Sequence, residues 1–374
     1  MFYSGIDLHK DNSFIVTVDD TDTIVKQERL RNVPDLILVY FASLPGPHKA
    51  VVECTAGWYW LSDLLEAHGI ELILAHAKYL KAISYAKVKT DKVDARTLAH
   101  LLRLDAIPQA HKIRRDLRDF RDVMRARLRL VQKRTSCCVS IHNLGRKLNC
   151  GDQLVIEERT VPEFLSEAYR LHLRNLYEQI DLLETQISDL EHFLQPVLIP
   201  NDDIQRLVWI PGMGAVTAFT VYLEADGIER FLSDKHFVSY CRLVPGAKNS
   251  NRSMRHKSGC KDGNKYLKIA FTDMAVHAIQ YYPEYRRLYQ KILRRANEAV
   301  ARTVVAKELA RIVYHILKNK TEYRGLKGQP ISHPKALQYP RLKRRSQPQA
   351  TLPVAHVATP GKPARLTDAE ASSA

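Results

Sequence analysis

The sequence predicts a mixed-sheet α/β domain followed by two helical segments. Three patterns predict it. Strand-like and helix-like stretches alternate over residues 1–112, helical spacing takes over at 113, and a turn-rich helical stretch fills 199–324.

Residues 1–6 and 13–18 are short apolar runs. The polar turn Asp19-Asp20-Thr21-Asp22 leads into 23–30, so the three runs form a meander with hairpin chemistry at its bends. Residues 50–53 and 71–74 have the length and composition of buried strands, with 58–68 as the helix between them. Residues 93–104 continue as a helix whose apolar stripe is Val93, Leu98, Leu101 and Leu102.

Residues 113–198 are expected to be helical. Arg114, Arg118, Arg121, Arg125 and Arg129 recur at helical spacing, a pattern suited to phosphate, although Asp116, Asp119 and Asp122 lower the local charge and suit a merely solvated face. Leu173, Leu176, Ile180, Leu183, Ile187, Leu190 and Leu194 alternate steps of three and four, as the seam of a coiled coil does. Such a seam must bury itself, within the chain or on another subunit. Its narrowness and polar flanks favour a subunit contact, making a homo-oligomer, a dimer or tetramer, the expected state. Residues 199–324 open with an apolar stretch, then Pro211-Gly212-Met213-Gly214, then helix, as in a helix-hairpin-helix turn. Gly212 and Gly214 would let phosphate approach backbone amides there, or they simply make an inter-helix turn. Residues 325–374 carry Pro330, Pro334, Pro340 and further prolines beside Arg341, Lys343, Arg344 and Arg345, the composition of a basic disordered tail.

Four acids in the α/β part carry the chemistry. Asp7 closes the first strand, Glu53 closes a later one, and Asp91 and Asp94 stand three apart on one face of a helix start. An acid on the first strand and others on a later helix is the ribonuclease-H-like arrangement. Converging carboxylates repel unless a cation lies among them, and hard oxygen ligands suit Mg²⁺ or Mn²⁺ in phosphodiester chemistry. The competing reading is that they are ordinary surface acids.

The formal net charge of +16 points to a polyanionic partner, and nucleic acid fits better than membrane because no apolar run is long enough to span one. The start of the chain lacks a signal-peptide pattern, and the six cysteines contain no C-x-x-C pair, so reduced thiols in a cytoplasmic, nucleoid-associated protein are expected.

Several motifs coincide with a known family. They are G-I-D-x-H-K at 5–10, V-x-E-x-T-A-G at 51–57, K-T-D-x-x-D-A at 89–95, I-P-G-x-G at 210–214, Leu243-Val244-Pro245, and Lys261-x-Gly263. Over roughly residues 3–320 the chain resembles the DEDD transposases of bacterial insertion sequences, which join a Holliday-junction-resolvase-like (RuvC-like) domain to a serine-bearing domain. The resemblance implies a metal-binding tetrad of Asp7, Glu53, Asp91 and Asp94. It also implies a nucleophilic serine five residues after Pro245, at Ser250. Family members usually carry glycine after that serine, whereas Asn251 stands here, so Ser253 and Ser258 stay open as alternatives. Further implications are donor and target DNA as substrates, a bridge RNA that pairs with both, and Arg252, Arg255, His256, Lys257 and Lys261 steadying phosphate. The other readings are a metal-dependent nuclease or junction resolvase using water, a site-specific DNA invertase, a sugar-kinase-like ATPase, and a degenerate nucleic-acid-binding protein. The ATPase reading lacks its glycine-rich phosphate loops.

Overall fold

A computed structural model describes residues 1–55, 57–83, 90–199, 201–245 and 262–326. Strands β1 (Phe2–Leu8), β2 (Asn12–Val18) and β3 (Ile24–Arg31) form the expected antiparallel meander. β4 (His48–Glu53) and β5 (Glu71–Ala75) add in parallel beyond β1, giving the order β3-β2-β1-β4-β5. This mixed five-stranded sheet is compatible with a ribonuclease-H-like domain.

The sheet is covered on both faces. Ile6, Ala50 and Val52 join a core with Ile37 of α1 (Pro34–Ala42) and Leu61 of α2 (Trp58–Ala67). After α3 (Ala77–Ile83) comes α4 (Asp91–Arg103), which covers the opposite face, where Leu98 and Leu102 meet Val51. α1 carries little periodic signal in the sequence. Its run of Leu36, Ile37, Leu38, Val39, Tyr40 and Phe41 is too uniformly apolar to announce a period, but Pro34 opens it and Ile37, Tyr40 and Phe41 turn inward.

α5 (Arg115–Leu148) and α6 (Glu167–Leu198) run antiparallel, as the pairings Arg127–Glu191, Arg134–Glu184 and Cys137–Gln179 require. The α6 seam departs from the expected subunit contact. The leucine seam of α6 buries itself within the chain, where Leu173, Leu176, Ile180 and Leu183 pack with Cys137, Ile141 and Leu144 of α5. The seam itself is thus covered by α5 and not by a second subunit.

The remaining helices are α7 (Asp202–Leu207), α8 (Ala215–Ala225), α9 (Asp234–Tyr240), α10 (Lys265–Tyr281), α11 (Pro283–Leu293) and α12 (Glu298–Asn319). Residues 1–322 form one compact unit, and of the second unit, 323–374, only 323–326 are described. The expected basic tail therefore lies outside the described residues. Among them, no helix is long and apolar enough to cross a membrane.

Candidate active site

β1 and β4 run parallel in a register that pairs Gly5 with Val51 and Ile6 with Val52. One step further places Asp7 beside Glu53. Side chains alternate along a strand, so both acids share the face of Gly5 and Val51, which is the face that α4 covers. Asp91 and Asp94 occupy the first turn of α4, behind the N-cap Thr90, whose hydroxyl accepts from the Val93 amide at 3.3 Å. The four acids thus stand at the same end of the α4-covered face. The partial positive charge of a helix N-terminus also favours carboxylates there.

Two residues that the sequence reading did not assign complete the arrangement. His9 Nε2 lies 3.1 Å from Asp7 Oδ2 and 3.4 Å from Asp91 Oδ1. Arg29 Nη2 lies 3.6 Å from Asp91 Oδ2. Both had a signal in the sequence. His9 is two residues past Asp7, on the same face of an extended chain. The meander register aligns Asp7 with Phe14 and Phe14 with Arg29.

Asp7, His9 and Asp91 each offer a ligand atom, and these atoms lie within 4.8 Å of one another. Burial pushes the Asp7 carboxyl above its usual range. His9 opposes that shift, while the charges of Asp91 and Asp94 add to it. A carboxyl made harder to ionise by neighbouring acids is what a divalent cation relieves, so the donor set fits such an ion. Mn²⁺ is expected to raise the unfolding midpoint, by an amount equivalent to about 2.7 kcal/mol at a hundredfold excess over its dissociation constant. Asp7→Asn is expected to cancel the rise, and an equal rise in both proteins would remove this centre as the binding site.

The arginines of α5 are placed differently from expectation. Arg118 is buried, reaching Asp63 at 2.7 Å and lying against the rings of Trp58 and Tyr59. Arg121 Nε donates to Glu224 Oε2 at 3.0 Å and Arg125 Nε to Glu224 Oε1 at 2.6 Å. Arg114 pairs with Asp226 at 2.8 Å. Intramolecular acids therefore take up four of the five guanidinium groups, and the fifth, Arg129, is exposed. Gly212 is also used internally. It has φ +79°, and a Cβ there would lie 2.3 Å from the Met274 carbonyl of α10, so it serves close helix packing. Gly214 is exposed at the start of α8. Ser250, Ser253 and Ser258, with Arg252, Arg255, His256, Lys257 and Lys261, lie outside the described residues. The residues flanking them are anchored: the Asn264 amide donates to the Tyr240 carbonyl at 2.6 Å, and its side chain caps α10.

Sequence profiles of known families match both halves of the chain. A DEDD transposase profile of the IS110 type covers residues 4–144, which hold all four acids. A second, described as the IS116/IS110/IS902 transposase family, covers 204–290. The chain belongs to the IS110 family of DEDD transposases. Among its relatives, a probable family 20 transposase of Pseudomonas aeruginosa is 26% identical over 339 residues, covering 86% of this chain and 98% of that one. The transposase for insertion sequence element IS1111A of Coxiella burnetii is 25% identical, covering 86% and 90%. That for IS1328 of Yersinia enterocolitica is 23% identical, covering 85% and 97%. As an IS110-family member, this chain is an insertion-sequence transposase, a class of enzyme that cuts and transfers DNA.

Proposed function

We propose that this transposase cuts and rejoins donor and target DNA through the Ser250 hydroxyl, assisted by a divalent ion held at Asp7, Glu53, Asp91 and Asp94. The observation that carries the reading is the gathering of Asp7, His9 and Asp91 around one point, with Glu53 and Asp94 on the same face. Bound there, Mg²⁺ or Mn²⁺ supplies charge neutralisation at the scissile phosphate and a lower hydroxyl pKa. Ser250 Oγ forms a new bond to phosphorus and gives its proton to a base. The bond to the leaving sugar oxygen breaks, and that oxygen takes a proton. The phosphoserine ester keeps the energy of the broken linkage, so rejoining needs no nucleotide cofactor.

His9 and Arg29 hold Asp91 between them and so set where its carboxylate points. Target choice by a bridge RNA that pairs with both DNAs leaves the protein to read backbone and shape, which suits a strongly basic chain working at the nucleoid. Cutting two DNA ends calls for a dimer or tetramer, assembled through a surface other than the α6 seam.

The test is a denaturing gel of labelled donor DNA with Mg²⁺ and RNA from the element's flanks. A protein-linked band is expected for the unaltered chain and none for Ser250→Ala or Asp91→Ala, each at least a hundredfold down, or about 2.7 kcal/mol in barrier. Cleavage that survives Ser250→Ala without linkage would favour the hydrolytic nuclease or a different serine. Products joined in inverted orientation within one molecule would favour the invertase.

A further inference from the structure

A cleft of about 640 Å³ opens past the end of β4, and neither the metal nor the serine chemistry uses it. One wall is Cys54 and Thr55, the residues directly after Glu53, together with His76 and Tyr79. The other is Arg230, Tyr240 and Gly263, and Gly263 is two positions past the last undescribed residue of the serine-bearing segment. Lys78 and Asp262 pair across from one wall to the other. The cleft therefore begins one residue past Glu53 and holds Asp262 and Gly263, the first described residues after the serine-bearing segment.

Its lining is particular. Tyr79 is 54% exposed, yet its ring lies 4.6 Å from that of His76, so the two present aromatic surface to solvent. Tyr240 stands on the far side with Arg230 over its ring at 4.5 Å. Two nitrogens of the lining, His76 Nδ1 and Arg230 Nη2, are buried with no hydrogen-bond partner. Buried polar atoms are normally satisfied, so these two leave unmatched polarity just beneath the aromatic lining. An exposed aromatic surface facing a guanidinium across a narrow cleft suits a planar ligand with carbonyl and ring-nitrogen edges. A nucleobase has that chemistry, and base–aromatic stacking tolerates every base because each has a π face.

We infer that this cleft takes one unstacked base of the DNA strand being cut, next to the scissile phosphate. The inference rests on the phosphodiester reading above. It goes further by assigning the position of a nucleotide and the residues that grip it. Holding one base out of the stack would fix the strand's register over the acidic centre, and extrusion costs least where the duplex is already opened.

The test uses the full chain with DNA spanning the element's end, carrying a single 5-iodo-2′-deoxyuridine at each position around the cut in turn. A parallel set places the photoreactive base in the RNA. After irradiation, the expected cross-link joins one or two DNA positions to the peptide holding His76 and Tyr79. Tyr79→Leu, at an exposed site, is expected to remove it and to weaken binding of that DNA about tenfold. An abasic residue at the same position should bind both proteins equally. Cross-links that map away from the cleft, that come only from the RNA, or that persist in Tyr79→Leu overturn the inference. Serine linkage is scored in the same tubes. Linkage without a cleft cross-link overturns this inference alone, whereas a cleft cross-link without linkage supports it and counts against the serine reading.

Discussion

Glu224→Ala is expected to destabilise the protein by about 3–5 kcal/mol, the usual cost of removing one partner from a buried ion pair. The Glu224 side chain is 1% exposed and accepts from Arg121, from both Nε and Nη2 of Arg125, and from Asn264 Nδ2 at 2.6 Å. Truncation leaves an 11% exposed Arg121 with no countercharge. It also frees Asn264, the N-cap of the helix that follows the serine-bearing segment. A domain has only about 5–15 kcal/mol in hand, so the loss takes up a large share. Urea titration followed by circular dichroism measures it, and a change under about 1 kcal/mol would show the network to be dispensable. Glu224→Gln keeps the shape and part of the hydrogen bonding, and should cost less.

The same carboxyl has a signature in acid. Burial pushes the Glu224 pKa up, but the Arg125 hydrogen bond and the charges of Arg121 and Arg125 outweigh it, leaving the folded value below the ordinary one. Asp226 follows the same pattern more strongly: burial raises it, and the hydrogen bonds from His111 and Arg114 bring it well below the carboxylate range. A group depressed on folding stabilises above its unfolded pKa, about 4, and loses that contribution as pH falls through the folded value. Stability should therefore decline below about pH 4, and Glu224→Gln should flatten part of that decline.

Gly5→Ala is expected to slow DNA cleavage about a hundredfold and to lower stability by about 1–3 kcal/mol or more. A methyl there would lie 2.0 Å from the Ala95 carbonyl oxygen and 2.5 Å from the Ala99 amide nitrogen. Both atoms belong to the backbone of α4, so no side chain can swing away and the helix itself must move off the sheet. That helix carries Asp91 and Asp94, whereas Asp7 and Glu53 stay on the strands. A shift of about 1 Å between the two sets is enough to lose about a hundredfold in rate. Cleavage assays beside thermal melts separate the effects. A folded variant with full activity would show that the close approach does not fix the acids.

These two sites also show what was legible in the sequence. The meander and the placement of the four acids on strand ends and a helix start were readable because their signals are local, set within a few residues by hairpin turns and a helix cap. Gly5 stood in plain view within its motif, but its reason, a helix backbone ninety residues later in the chain, did not. The arginines of α5 misled for the same reason. Their spacing is local, whereas their partners Asp63, Glu224 and Asp226 come from distant segments. A row of arginines looks alike whether it faces a phosphate or a buried carboxylate. The α6 seam stated that it must be covered without stating by what, and the covering face of α5 has Cys137 and Ile141 where a plainer heptad would have leucine.

The α5–α6 hairpin has one more consequence. Its arms lie side by side, so the chain leaves the sheet domain and returns to nearly the same place after an excursion of about 50 Å. Equal lengthening or trimming of both arms would leave the two ends where they are. The family profiles leave residues 145–203 unmatched, which includes the far end of this excursion. The hairpin is therefore where length can be added, or a foreign domain spliced in, without moving its two ends.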